Sequence, residues 1–174
     1  DGTTTTRTSP VFLASVSDVV KASVGFAYTC ALHADGTTSC WGANGAGQLG
    51  RGFTSANACT PAAVVGLSDA VDVSTSSTRT GSTGHTCAVR AGGGVICWGS
   101  NVLGQLGNGT TTNSSAPTAV LEITNAVGIA CANAHSCASL ASGGVACWGV
   151  SSEGQIGDGT IFTHLNPEST LLQP

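Results

Sequence analysis

Eight cysteines, four histidines and nine carboxylates are the groups in this 174-residue chain that could do chemistry, and six of the cysteines obey one rule. Cys30 and Cys40, Cys87 and Cys97, and Cys137 and Cys147 are each ten positions apart. Thiols placed in pairs can be oxidised to disulfides or can ligate a soft metal. Structural zinc sites space their paired ligands roughly two to four residues apart, so the interval favours sulfur–sulfur bonding. Cys59 and Cys131 lie outside the pattern. An even total of eight accommodates full pairing, which leaves these two to bond to each other or to another chain.

The remaining candidates for chemistry carry less. His85 and His135 occupy the slot that holds Tyr28 in the first of three similar stretches, so the slot takes a ring and does not demand a titrating group. His33 lies beside a turn and His164 in the tail, neither with a repeated acidic partner. The string Gly45-Ala-Gly47-Gln-Leu-Gly50 matches a dinucleotide fingerprint, but that motif needs a following helix inside a βαβ unit, and here it runs into Thr-, Ser- and Pro-rich turns. No Gly-x-Ser-x-Gly elbow is present. Asp18, Asp69 and Asp72 sit near strand starts, and Glu122 and Glu153 have no counterpart across the copies, so nothing favours a glycosidase-type carboxylate pair. These residues predict a chain that is not an enzyme, with no catalytic residue, cofactor or metal.

The cysteines are positioned by a hairpin. Cys30–His33 and Thr37–Trp41 flank Ala34-Asp35-Gly36, and the same place holds Ala91-Gly92-Gly93 and Ala141-Ser142-Gly143. A three-residue hairpin loop puts its last residue in the left-handed region, where glycine is unstrained, which accounts for Gly36, Gly93 and Gly143. With that loop Cys30 falls opposite Cys40, Cys87 opposite Cys97, and Cys137 opposite Cys147. Directly opposed residues have Cα atoms about 4.5 to 5.5 Å apart, within or at the edge of disulfide reach. The expectation is three cross-strand disulfides.

Each hairpin belongs to a repeat. Trp41, Trp98 and Trp148 step by 57 and 50 positions, and each is followed by Gly-Gln-Leu-Gly or Gly-Gln-Ile-Gly. A fixed period of about 50 residues means one supersecondary unit stacked as an array. The repeats run at about 1–50, 51–107 and 108–157 within a single domain, 1–174. A tail, 158–174, restarts with Asp158-Gly-Thr the phrase that opens the chain at Asp1-Gly-Thr. The longer middle copy places its extra residues in Ser74–Gly84, a polar surface loop. The tryptophans read as blade-packing residues, with a stacking ladder for carbohydrate or a protein as the rival role.

Charge is scarce: five basic and nine acidic residues give a net charge of −4. A basic footprint for nucleic acid is missing, and no apolar run approaches the roughly 18 residues that span a bilayer. Disulfide-forming cysteines in such a chain point to an oxidising compartment, extracellular or at the cell surface. The start at Asp1 reads as a processed or excised chain. Asn108-Gly-Thr and Asn113-Ser-Ser would accept a glycan in a suitable secretory host.

The run Cys-Ala-Leu-x-x-x-Gly-x-x-x-Cys-Trp-Gly-x-Asn-x-x-Gly-Gln-Leu-Gly-x-Gly, clearest at 30–52 and 87–109, resembles the repeat of the regulator of chromosome condensation family, in the cysteine-bearing form of secreted bacterial members. The resemblance implies an all-β β-propeller of small antiparallel blades, commonly seven around an axis. Three repeats make about three blades, a partial ring or one completed by other chains. Nucleotide exchange on a small GTPase, the activity that names the family, requires an intracellular setting that the cysteines argue against. The expectation is a structural protein that self-assembles head to tail, as a homo-oligomer or polymer, into a ring or filament. The alternatives are a secreted module that binds or inhibits another protein through its blade loops, and an excised part of a larger propeller.

Overall fold

In the computed structural model, which describes residues 1–77 and 84–169, twelve strands form three four-stranded antiparallel sheets, and no helix occurs among the described residues. Blade I contains β1 (Val19–Val24), β2 (Tyr28–His33), β3 (Thr38–Asn44) and β4 (Ser55–Ala63). Blade II contains β5 (Ala70–Thr75), β6 (His85–Arg90), β7 (Val95–Gly99) and β8 (Ser114–Ala119). Blade III contains β9 (Ala126–Cys131), β10 (His135–Leu140), β11 (Val145–Gly149) and β12 (His164–Ser169). Each sheet is a meander in chain order. The all-β array of three antiparallel blades is thus observed.

Register follows the hairpin rule. Cys30 pairs with Cys40, Cys87 with Cys97 and Cys137 with Cys147 across the two middle strands of their blades. At the loops Gly36, Gly93 and Gly143 have φ of 80°, 80° and 88°, the left-handed region a side chain resists.

Blades and repeats are out of phase. Each fourth strand comes from the segment after the Gly-Gln-Leu-Gly loop, so β12 is built from the tail and closes blade III within its own chain. The tail residues 170–174 lie outside those described. The stretch Ser74–Gly84 also differs from expectation. Ser74 and Thr75 end β5, and Thr75 and Ser76 are buried, because they fill the seam against blade I; residues 78–83 lie outside those described.

The core sits between blades. Leu49, Val64, Leu67 and Val73 surround Trp98 in the seam of blades I and II. Leu106, Val120, Ile123 and Ile129 surround Trp148 in the seam of II and III. A single blade has too little apolar area of its own, so each is stable only against a neighbour.

Candidate functional site

The seams are the most elaborated places in the molecule, and the Gly-Gln-Leu-Gly loop builds them. In blade I the loop is shaped from inside. Asn44 Oδ1 accepts from Leu49 N at 3.1 Å, and Gln48 turns its own Oε1 back to accept from Ala46 N at 3.0 Å. Leu49 is thereby driven into the core, fully buried, and the Gln48 carbonyl points at the next blade. There it accepts from Trp98 Nε1 at 2.9 Å and from Thr86 Oγ1 at 3.0 Å. Blade II repeats the arrangement. Asn101 and the Gln105 side chain hold the loop, and the Gln105 carbonyl accepts from Trp148 Nε1 at 2.8 Å and from Ser136 Oγ at 3.3 Å.

Glycine is required in these loops by space. A Cβ on Gly47 would stand 2.5 Å from Ser115 Cα, and one on Gly104 2.7 Å from Leu165 Cδ2. Two further backbone bonds complete each seam. Gly52 N donates to Ser115 O and Gly109 N to Leu165 O; Ala70 N donates to Gly36 O and Ala126 N to Gly93 O.

The ring at position 28 of the first copy also crosses a seam. Tyr28 OH donates to the His85 carbonyl at 2.5 Å and accepts from Ser76 N at 3.1 Å; burial pushes its pKa well up. His85 reaches forward instead to Ser136 Oγ, 2.8 Å from Nε2. Burial, with the neighbouring His135 adding to it, pushes His85 down to about 3, so it is neutral at pH 7. His135, which has no blade beyond it, is shifted down by partial burial. A histidine whose folded pKa is depressed contributes stability above its unfolded pKa, near 6.5, and that stability is lost as pH falls toward the folded value. Thermal unfolding between pH 7 and 4 should therefore show stability falling below about pH 6.5 by up to about 1.4 kcal/mol per pH unit from His85. His85→Gln should flatten that slope, and an unchanged slope would remove His85 as its source.

All three disulfide pairs are bonded, with Cα–Cα distances of 4.1 Å. Cys59 and Cys131 form no disulfide within the chain, so of the two alternatives left open by the sequence they do not take the bond to each other. They stand on β4 of blade I and β9 of blade III, with blade II between. Cys131 comes close to His85 and Cys87, their ligand atoms lying within 4.8 Å of one another. The cluster is not a metal site as it stands. The Cys87 sulfur is spent in a disulfide, and Ser136 Oγ contacts both sulfurs at 3.8 Å while bonded to His85. Burial raises the Cys131 thiol to about 11, so it should be alkylated by iodoacetamide at pH 8 far more slowly than an unperturbed thiol. Peptide mapping of the labelled native protein checks this, and rapid labelling of Cys131 would contradict it.

Sequence reasoning missed the acidic partners of His164. Its Nε2 lies 2.8 Å from Asp158 Oδ2, and its Nδ1 is 3.6 Å from Glu168. Thr160 Oγ1 contacts the same nitrogen at 3.3 Å but also donates to Asp158 at 3.0 Å, so the group closes a turn and does not activate a nucleophile. Asn108 and Asn113 are likewise engaged: Asn108 Oδ1 accepts from Thr110 N, and Asn113 Oδ1 from Asn101 N.

The three tryptophans are not equivalent. Trp98 and Trp148 are wholly buried, whereas Trp41 is half-buried and its indole N–H has no partner among the described residues. It lines a cavity of about 350 Å³ with Gly42, Ala43, Cys59, Asp1 and Thr3. Around it the face of blade I is open. Ala22 and Val24 are exposed, Val24 at 70%, where the equivalent Val73 and Thr75 of blade II are 0% and 6%.

Residues 92–139 match the family described as the regulator of chromosome condensation (RCC1) repeat. The chain is 34% identical over 109 residues to a protein RCC2 homolog of Danio rerio and 37% identical over 91 residues to protein RCC2 of Homo sapiens, covering 59% and 49% of this chain. It spans only 21% and 16% of those two proteins. Among solved structures it superposes on Prp20p of Saccharomyces cerevisiae, described for its binding to Gsp1p and histones, with a TM-score of 0.73 at 19% identity, over 87% of this chain and 38% of that one. The same yeast protein bound by Kap60 gives 0.72 at 19% identity, over 87% and 37%. The Trp-bearing hairpins and Gly-Gln-Leu-Gly seams form a β-propeller segment, and the repeat matched at 92–139 with these likenesses supports the regulator of chromosome condensation repeat family.

Proposed function

We propose that this segment works by contact and not by catalysis, as a disulfide-stapled extracellular building block that extends itself head to tail with further copies into a ring or filament. The observation that carries this reading is a pair of uncovered blade surfaces among the described residues. Blade I presents an uncovered face holding Trp41, and blade III presents an uncovered loop of the kind that covers tryptophan at both internal seams. Stacked repeats need a neighbour or a polar cap on each end, and exposed Val20, Val24 and Phe26 on blade I are not a polar cap. At roughly 25 cal/mol per Å², several hundred Å² of covered apolar face supplies on the order of 10 kcal/mol before the losses of association. A net charge of −4 on 174 residues offers little repulsion against it.

Placement outside the cell is supported by three disulfides in a chain with few charges. Asn108 and Asn113 are the glycan acceptors to look for there. A second reading has its own support. The yeast relative is described as binding Gsp1p and histones and is seen with Kap60, which favours a protein-docking module using the loops at one end of the blades. Mass measurement of the purified chain under non-reducing conditions separates the two. The building block gives masses that are multiples of the 17.0 kDa chain and grow with concentration, whereas a docking module stays single at every concentration.

A further inference from the structure

We infer that the seam between blades II and III carries a latent soft-metal site, in which His85, Cys87, Cys97 and Cys131 bind a zinc-class cation once the Cys87–Cys97 disulfide is reduced. This seam is internal to the array, so the inference uses neither of the uncovered blade surfaces and stands apart from the assembly reading.

A comparison of the two seams exposes the site. Thr75 pairs with Thr86, and Cys131 pairs with Ser136, so Thr75 and Cys131 are equivalent positions. The hydrogen bonds agree: Thr75 N donates to Ser23 Oγ and Cys131 N to Ser74 Oγ, each across its own seam. Tyr28 and His85 are equivalent in the same way, opposite Gly42 and Gly99. The seam of blades I and II thus gathers Tyr28, Thr75, Thr86 and the Cys30–Cys40 bond. The next gathers His85, Cys131, Ser136 and the Cys87–Cys97 bond. Between one seam and the other a phenol becomes an imidazole and a hydroxyl becomes a thiol. Both changes install the donors that zinc and copper prefer, and both fall at one place.

The donors are close and not fully used. A ring nitrogen of His85 and the sulfurs of Cys87 and Cys131 lie within 4.8 Å of one another. Two donors on one tetrahedral zinc stand about 3.6 to 3.8 Å apart, so these atoms need to close by about 1 Å, within reach of a rotamer change when the disulfide opens. Cys97 lies directly across from Cys87, with Cα atoms 4.1 Å apart, and supplies a fourth donor from the same opened bond. Three cysteines and one histidine are a common structural zinc set. His85 is fully buried; its Nε2 meets Ser136 Oγ at 2.8 Å, and its Nδ1 has no hydrogen-bond partner among the described residues. Burial keeps the ring neutral at pH 7, the form that ligates metal. At Cys131 burial opposes ionisation, but the Ser136 and Ser74 side chains and the backbone at Cys87 direct hydrogen bonds at the sulfur and favour the thiolate. A coordinated cation deprotonates such a thiol outright.

Opening the site consumes a reductant. A phosphine with one water converts the Cys87–Cys97 bond to two thiols: phosphorus gives up an electron pair and takes the water oxygen, and the two sulfurs take the two protons. A dithiol does the same by exchange and ends as its own disulfide. The metal then displaces one proton from each thiol it ligates. The exchange moves the staple, because the disulfide ties β6 to β7 within blade II, whereas the ion ties both to β9 of blade III.

Cobalt(II) titration of the full chain, kept reduced by a phosphine, tests the site. The reduced wild type should develop the sulfur-to-cobalt charge-transfer and strong ligand-field bands of a tetrahedral thiolate centre. Zinc should displace the cobalt and raise the melting temperature of the reduced chain, and the unreduced chain should show no such bands. Cys131→Ser and His85→Gln should each weaken cobalt binding by at least about 10- to 100-fold, the range for losing even a residue that supports a ligand. Cys59→Ser, on blade I, should leave it unchanged, and circular dichroism checks that each variant keeps its strands. A reduced wild type without these bands would overturn the site. Bands of wild-type strength in Cys131→Ser, or their loss in Cys59→Ser, would place the metal on other cysteines and overturn it too. So would strands lost on reduction that zinc does not restore.

Discussion

Trp98→Ala and Trp148→Ala should each lower the free energy of unfolding by about 3 to 5 kcal/mol, the range for removing a buried aromatic side chain, while Trp41→Ala in the dilute, single chain should cost about 1 kcal/mol or less. The three residues sit in one phrase repeated three times, so sequence context treats them alike. Their difference arises from what stands on their far side. The indoles of Trp98 and Trp148 are enclosed by the preceding blade's loop and donate to its carbonyl, so truncation opens a cavity and strands a buried acceptor. Trp41 faces no preceding blade. Urea unfolding of the three variants below the assembly concentration reads the contrast, and equal losses at all three positions would contradict the seam description.

Removing one staple should be the next largest effect. Cys87→Ser with Cys97→Ser opens a ten-residue loop at the middle of the array, and the chain-entropy account puts that at about 3 kcal/mol. For a chain of this size the melting temperature should fall by about 6 to 12 °C. Both cysteines are changed together because a single Cys97→Ser would leave a Cys87 thiol close to Cys131, free to form a substitute bond. The strand pattern should persist, since the hairpin is also held by its backbone ladder. An unchanged melting temperature under oxidising conditions would argue that the bond contributes nothing.

Local chemistry was legible in the chain, and relations between blades were not. The ten-residue cysteine interval with a glycine-ended loop dictates which residues oppose which, because the turn determines the register over the few residues it joins. The blade boundary was hidden for the opposite reason. β4, β8 and β12 pair with a strand across a long loop, so a repeat counted from its most distinctive phrase cuts each sheet before its last strand. The Gly-Gln-Leu-Gly phrase was visible as a repeat, but its role was not. A glutamine that ties its side chain into its own loop so that its carbonyl faces outward looks in sequence like any polar surface residue. Likewise Ser74, Thr75 and Ser76 read as a polar loop. Two of their hydroxyls bond across seams, Ser74 Oγ accepting from Cys131 N of blade III and Thr75 Oγ1 paired with Ser23 of blade I, while Ser76 Oγ accepts from His85 N within blade II. The even number of cysteines left Cys59 and Cys131 open between each other and another chain, because arithmetic carries no distance.

At both internal seams an indole N–H is held by the carbonyl of a neighbouring blade. Hydrogen exchange of the three tryptophan indole protons, followed by NMR on the dilute chain, tests that most directly. Trp98 and Trp148 should exchange only with unfolding, and Trp41 should exchange quickly until concentration drives copies together and slows it. Three indoles exchanging at one common rate, or a Trp41 proton protected in the single chain, would contradict it.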